Sequence, residues 1–122
     1  MAEKNIRRIS SGSPFEGKVG YSRAVVFGDL VYVAGTVGQG ETVVDQCKEA
    51  LATIERALHE AGTDFSRVLR VTYMLPDKDE FEPCWPLLKA TFGDNPPAAT
   101  MIECELIDPI FRIEIEVTAA LP

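Results

Sequence analysis

The sequence contains little of what marks secreted proteins, zinc proteins or proteases. Its three cysteines, Cys47, Cys84 and Cys104, are odd in number and widely spaced, which fits neither a disulfide framework nor a zinc site. We interpret them as reduced thiols of a cytosolic protein. His59 is the single histidine. The additional histidine ligands of a histidine-rich metal centre are therefore missing, and we expect no metal. A histidine near the end of a predicted helix is more typical of a structural residue.

Long apolar runs are also missing. No stretch approaches the roughly 18 consecutive apolar residues of a membrane span. The first five residues, MAEKN, are polar and charged and have no apolar segment behind them, unlike a secretory signal. We therefore predict a cytoplasmic protein without a membrane partner.

Basic residues are too few for a nucleic-acid partner. Lysine and arginine number 12 against 19 acidic residues, a net charge of −7. Affinity for nucleic acid comes largely from Lys and Arg contacts to phosphates, and Arg7 and Arg8 form the only local basic cluster. We expect no nucleic acid as partner.

What is present predicts a single α+β domain over residues 1–122, an ordinary domain length. Residues 21–27 and 30–36 are β-rich and are joined by Gly28 and Asp29, a pattern that predicts a hairpin. A short strand precedes the turn at 10–14, and residues 15–20 are predicted as loop. Further strands are predicted at 65–75, 98–106 and 111–120.

Two helices are predicted between these strands. Over residues 43–61, apolar side chains recur every three or four positions, with Thr42 as the N-terminal cap and Gly62 as the stop. Residues 79–92 form the second helix, and Pro83 and Pro86 predict a bent or delayed start. The order of elements indicates one six-stranded mixed sheet with the two helices on one face.

The alternation of side chains places carboxylates on one side of the last two strands. Glu103, Glu105, Glu114 and Glu116 are predicted to share the uncovered face of neighbouring strands, with the apolar sides packed on the helices. This face is either an ordinary solvated surface or the wall of a cavity where crowding raises a carboxyl pKa. Residues and spacing alone leave both interpretations open. An uncovered sheet face also favours oligomerisation.

Four motifs give the sequence a family resemblance: GYSRAV at 20–25, VAGT at 33–36, PAATMIE at 97–103 and IEIEV at 113–117. Together they resemble the Rid superfamily, the YjgF/UK114 proteins, over residues 20–120. The resemblance implies a chorismate-mutase-like fold, a homotrimeric barrel and ligand clefts between subunits. It also implies an imine or enamine deaminase that needs no cofactor and releases ammonia.

The resemblance assigns roles to three residues that this sequence retains. Glu114 corresponds to the glutamate that orients or activates the attacking water. Tyr21 corresponds to a tyrosine that lines the pocket, and the backbone amide near Gly35 assists binding.

The sequence departs from the family pattern at three other positions. Ala99 stands where a Pro-Ala-Arg arginine clamps the substrate carboxylate, a task suited to a bidentate guanidinium. Ala34 replaces a serine, and Met101 replaces a frequent cysteine. The resemblance therefore points to a branch without the arginine, in which the usual reaction is slow or absent.

Two functions from different classes follow. The first is a deaminase-like hydrolase in which Glu114 handles water, Tyr21 lines the cleft and Arg23, two residues along the same strand, replaces the lost anchor. The second is a non-catalytic trimer whose cleft binds a small neutral or apolar ligand, since Ala34, Ala99 and Met101 replace polar side chains of the family pattern. A third label used in the family, ribonuclease or translation inhibitor, has no support in the net charge of −7.

Overall fold

Residues 5–122 are described by a computed structural model. The first four residues, on which the prediction of no secretory signal depends, lie outside this range. The strands are β1 Ile6–Ile9, β2 Ala24–Phe27, β3 Leu30–Thr36, β4 Val68–Leu75, β5 Ala98–Glu103 and β6 Glu114–Ala120, and the helices are α1 Pro14–Val19, α2 Val43–Ala61 and α3 Trp85–Phe92.

The six strands form one sheet in the order β1-β2-β3-β6-β4-β5. Strands β4 and β5 pair in parallel, and the other pairs are antiparallel. The predicted α+β class and the six-stranded mixed sheet are therefore confirmed. The hairpin between β2 and β3 is also confirmed, with Phe27 opposite Leu30 and Gly28 in the left-handed region at φ 60°, where glycine is unstrained.

Helix α2 follows its prediction at both ends. The Thr42 side chain accepts a hydrogen bond from Asp45 N at 3.1 Å, and Gly62 ends the helix at φ 98°. Its apolar side, including Cys47, Ile54 and Leu58, is fully buried in the core. Cys84 is buried as well, and the described residues contain no disulfide.

Several predicted boundaries were wrong. Residues 15–20 were predicted as loop, but 14–19 form α1, capped by the Ser13 side chain and ended by Gly20 at φ 93°. Six residues are too few for a helical period to be visible in the sequence. Strand β4 begins at Val68 because residues 65–67 form a short 3-10 turn. Strand β2 begins at Ala24, and the last two strands are shorter than predicted, at 98–103 and 114–120.

The second helix has the delayed start that its prolines predicted. Residues 78–80 and 82–84 form 3-10 turns, and α3 proper begins only at Trp85. None of the helices in the described range combines the length and apolar character needed to cross a membrane.

The two sides of the sheet differ in composition. The side that packs on α2 and α3 carries fully buried residues such as Val31, Val71 and Ile115. The other side carries Tyr32, which is 48% exposed, and Ile102, which is 45% exposed. We call this second side the open face, because no helix of the described chain packs on it.

Candidate functional site

The four predicted carboxylates do not share one face. Strand β4 lies between β5 and β6, so the last two strands are not neighbours. Glu103 is paired with Leu75, whose side chain is buried on the helix side, whereas Glu114 is paired with Met74 on the open face. Glu105 lies beyond the end of β5. The prediction of a four-carboxylate face was therefore wrong, and Glu114 and Glu116 are the pair that remains.

Glu114 lies directly against Gly35 of β3. A Cβ atom built on Gly35 would be 2.0 Å from Glu114 Oε2, so any side chain at this position would displace the carboxylate. The contact occurs at a β-bulge: Val33 pairs with Val117 and Thr36 with Ile115, which leaves two residues of β3 opposite Glu116. Bulges of this kind re-aim side chains and are frequent next to active sites.

Arg23 connects Tyr21 to the same bulge. Its Nη1 donates to Gly35 O at 2.9 Å and to Thr36 Oγ1 at 2.8 Å, and its Nη2 donates to Tyr21 Oη at 3.2 Å. The side chain is only 7% exposed. Within the described residues, its Nε has no hydrogen-bond partner, so a buried cation beside Glu114 retains an unused donor, an arrangement that costs free energy.

The electrostatic surroundings of Glu114 favour its protonated form. Burial is the largest cause that raises the pKa of the Glu114 carboxyl, and the neighbouring Glu116 raises it further. Arg23 acts in the opposite direction and lowers this pKa, but the net shift is upward. A carboxyl group with a raised pKa is better matched to proton transfer near neutral pH than an ordinary glutamate.

Tyr21, Arg23, Gly35 and Glu114, all predicted as site residues, therefore lie in one cluster. Arg23 precedes β2 instead of lying within it. We call these four residues the Glu114 cluster. The alternation of side chains along one strand predicted that Tyr21 and Arg23 lie together, but the contact between Gly35 and Glu114 joins two strands distant in sequence and needed the structure.

Ala99 and Met101, the other predicted site residues, lie elsewhere. They pair with Val71 and Tyr73 of β4, whose side chains are buried on the helix side of the sheet. Glu114 points to the other side and is separated from β5 by β4. One copy of the chain therefore does not bring Ala99 and Met101 to the Glu114 cluster.

A cavity of about 290 Å³ adjoins Ala99. Aromatic side chains form much of its wall: the ring centroids of Tyr73 and Phe81 are 5.1 Å apart, and those of Phe81 and Trp85 are 6.2 Å apart. Trp85 is 53% exposed, whereas the preceding Cys84 is fully buried. The sequence signal that could have indicated this exposure was the position of Trp85 between Pro83 and Pro86, because prolines disrupt a helix.

A second cavity, of about 350 Å³, lies on the open face beside Glu116. It is lined by the polar side chains of Arg70, Thr72 and Thr118 and by Ala34. Ala34 presents only a methyl group to this cavity.

Comparison with known proteins agrees with this architecture. The family described as endoribonuclease L-PSP matches residues 13–121. Human 2-iminobutanoate/2-iminopropanoate deaminase is 31% identical over 123 aligned residues, covering 93% of this chain and 90% of the human protein. The RutC family protein of Pyrococcus abyssi is 30% identical over 107 residues, covering 81% of this chain and 84% of that protein.

Solved structures show the same fold. A YjgF/YER057c/UK114 family protein from Mycobacterium tuberculosis superimposes with a TM-score of 0.93 at 39% identity, covering 96% of this chain and all of that one. A YjgF family protein from Neisseria meningitidis gives 0.86 at 31% identity, covering 97% and 96%. The protein therefore belongs to the Rid superfamily of YjgF/YER057c/UK114 proteins, within the family described as endoribonuclease L-PSP.

Proposed function

We propose that this protein is a cofactor-independent hydrolase that converts imines or enamines of small metabolites to carbonyl compounds and ammonia, with Glu114 as the catalytic carboxylate. The observation that carries this proposal is the position of Glu114, half-buried over Gly35 with a raised pKa. Its relatives named as iminobutanoate and iminopropanoate deaminases support the same reaction type.

The proposed chemistry uses one carboxyl group twice. Glu114 accepts a proton from water while the water oxygen attacks the imine carbon, and the electron pair of the C=N bond moves to nitrogen. The nitrogen takes up the proton from Glu114, which leaves the carboxylate ionised again. The hydroxyl proton of the resulting carbinolamine then transfers through Glu114 to nitrogen. The C–N bond breaks, ammonia leaves and the carbonyl product remains. General acid–base catalysis of this kind contributes about 100- to 10,000-fold to a rate.

Tyr21 and Arg23 are proposed to bind substrate beside Glu114. The Tyr21 hydroxyl is held by Arg23 at 3.2 Å, so its ring orientation is fixed before a substrate arrives. Arg23 is the cation of the cluster, and its hydrogen bonds to Tyr21 Oη and Gly35 O place its positive charge beside Glu114. The backbone of Gly35 is fixed by the hydrogen bond from Arg23 to its carbonyl.

The complete site is proposed to form between copies of the chain. Ala99 and Met101 lie on the helix side of β5, and Glu114 lies on the opposite side of the sheet, so the two sets of residues meet only if one copy supplies each. The apolar residues of the open face, such as Tyr32 and Ile102, support the same assembly. We propose a homotrimer in which the open faces form a barrel.

Ammonia release tests the catalytic role. With freshly generated 2-iminopropanoate and 2-iminobutanoate, Glu114→Gln is expected to lose about 100-fold or more of the wild-type rate. Glu55→Gln, a change of an exposed glutamate on α2, is the matched control and should retain the rate. Equal rates for wild type and Glu114→Gln would end the proposal.

Ala99→Arg tests whether the absence of an arginine at this position limits the rate on these two small carboxylate substrates. Losing a clamp for a buried charge costs about 2–5 kcal/mol. Restoring the arginine is therefore expected to raise kcat/KM at least tenfold, provided that Glu114 is intact. No gain in Ala99→Arg would mean that the missing guanidinium does not limit the reaction.

A non-catalytic, ligand-binding trimer is the second candidate. It is favoured by the replacement of polar groups by Ala34, Ala99 and Met101, of which Ala34 and Ala99 line the two cavities. A ligand of the folded protein raises its apparent stability. Thermal-shift screening against neutral and anionic metabolites, together with no ammonia release by the wild type, would favour this candidate over the hydrolase.

A further inference from the structure

The cavity beside Ala99 has a chemistry that the Glu114 cluster does not explain. Tyr73, Phe81 and Trp85 form a continuous aromatic wall with ring centroids 5.1 and 6.2 Å apart, and Pro97 and Ala99 complete the surface near β5. Burying an aromatic ring against such a wall is favourable through both apolar area and edge-to-face contacts.

Lys89 gives the cavity its one charge. Among the described residues that line it, Lys89 is the only lysine, arginine, aspartate or glutamate, and its side chain is exposed in the last turn of α3. A cation beside an aromatic wall is complementary to a molecule with a ring at one end and an anionic group at the other. The volume of about 290 Å³ is near the lower end of ligand sites, roughly 300 Å³, and suits a molecule with a single ring.

We propose that this cavity makes the protein selective for aromatic 2-imino acids, with the ring against Trp85 and Phe81 and the carboxylate at Lys89. The proposal rests on the proposed hydrolase for the claim that such a molecule is turned over, but the binding claim stands separately. Small substrates such as 2-iminopropanoate leave the aromatic wall in contact with water, whereas an aromatic side chain covers it. Ala99 contributes by leaving room that an arginine side chain would fill.

The test compares two 2-oxo acids, phenylpyruvate and pyruvate, which are the products of the proposed reaction and differ only by the ring. Trp85 is the single tryptophan, so its indole N–H gives one NMR signal that reports on the cavity. Phenylpyruvate is expected to shift this signal in a saturable manner and to bind at least about tenfold more tightly than pyruvate. Equal binding of the two, or a signal that neither molecule shifts, would overturn the proposal.

Variants assign the contacts. Trp85→Ala, followed through the ligand signals, is expected to weaken phenylpyruvate binding about tenfold. Lys89→Gln is expected to weaken it about two- to fivefold, as for a solvent-exposed ion pair. Lys48→Gln, an exposed lysine on α2, is the matched control and should bind as the wild type does. Equal effects of Lys89→Gln and Lys48→Gln would contradict the assigned carboxylate position.

A second measurement separates this inference from the proposed reaction. If phenylpyruvate binds to the wild type and to Glu114→Gln, but the wild type releases no ammonia from phenylalanine-derived imine, the binding inference holds and the hydrolase proposal fails. If ammonia is released at the same kcat/KM from the phenylalanine-derived and alanine-derived imines, the hydrolase holds and the aromatic selectivity fails.

Discussion

At the scale of single residues, two glycines show how the same substitution has different costs. A Cβ on Gly35 would meet the end of the Glu114 side chain at 2.0 Å, whereas a Cβ on Gly38 would lie 2.3 Å from Gln46 O and 2.8 Å from Ala50 N. A side-chain end moves at little cost, but the backbone of α2 does not. The two positions therefore separate an effect on the site from an effect on folding.

Gly38→Ala is expected to lower the free energy of unfolding by about 1–3 kcal/mol, as overpacking against a rigid neighbour does. Gly35→Ala is expected to cost less stability, but to displace the carboxylate and reduce ammonia release as strongly as Glu114→Gln. Urea denaturation and the ammonia assay measure the two effects. A Gly35→Ala protein with wild-type activity would show that the position of Glu114 over Gly35 is not needed.

Because the pKa of Glu114 is raised in the folded chain, the free energy of unfolding depends on pH. The upward direction of the pKa shift determines whether stability rises or falls with pH. The folded chain holds this proton more tightly than the unfolded chain does, so stability falls as pH rises from the ordinary glutamate range through the raised pKa. Above the raised pKa, the ionised Glu114 carboxylate continues to lower the free energy of unfolding. Burial is the main cause, followed by Glu116, and Arg23 offsets part of it.

Glu114→Gln is therefore expected to be more stable than the wild type at pH 7.5, with a difference that shrinks toward pH 4. Thermal unfolding midpoints over this range give the comparison, and Glu55→Gln serves as the control at each pH. A Glu114→Gln midpoint below that of the wild type at neutral pH would contradict the upward pKa shift.

At the scale of elements, the start of α2 depends on a single hydroxyl group. Thr42 Oγ1 accepts from Asp45 N at 3.1 Å and satisfies one of the free N–H groups of the first turn. The helix packs against β3 and β6, the strands that carry Gly35 and Glu114. Loss of the cap therefore affects the support beneath the Glu114 cluster.

Thr42→Ala is expected to lower the free energy of unfolding by about 1 kcal/mol, and Thr42→Ser, which keeps the hydroxyl group, by much less. Equilibrium denaturation in urea measures the free energy of unfolding of the wild type and both variants, analysed with one common dependence on urea concentration. Equal losses in the alanine and serine variants would assign the effect to the methyl group of Thr42 instead of the cap.

At the scale of the whole molecule, the open face is the feature that governs assembly. Its central strands β3, β6 and β4 present Tyr32, Thr118 and Arg70 side by side, and no helix of the described chain packs on them. If the open faces close into the proposed barrel, an arginine at Thr118 would bury a second guanidinium group directly opposite Arg70, and like charges opposed on a sheet are destabilising.

Light scattering is expected to give the wild type a mass three times that of the 13.4 kDa chain. Thr118→Arg is expected to reduce the mass to that of one chain, whereas Ala52→Arg, on the exposed side of α2, should leave it unchanged. A wild-type mass of one chain would refute the trimer, and an unchanged mass in Thr118→Arg would move the interface away from the open face.

The sequence by itself determined the features that depend on neighbours along the chain. The 3.6-residue period and the Thr42 cap predicted α2, the Gly28 turn predicted the hairpin, and the alternation in β6 separated Glu114 from Ile115. Each of these is set within a few residues, so the pattern contains the information. The motifs also identified the superfamily that the comparisons show.

Only the tertiary structure decided which strands pair and which sides they share. Strand β4 inserts between β6 and β5, so Glu103 lies on the helix side and Ile102 on the open face, the reverse of the prediction. The period of two is local, but the relation between two strands depends on their register, and a shift of one residue exchanges the faces. The contact of Glu114 with Gly35 and the exposure of Trp85 follow from the same long-range packing, which no local pattern records.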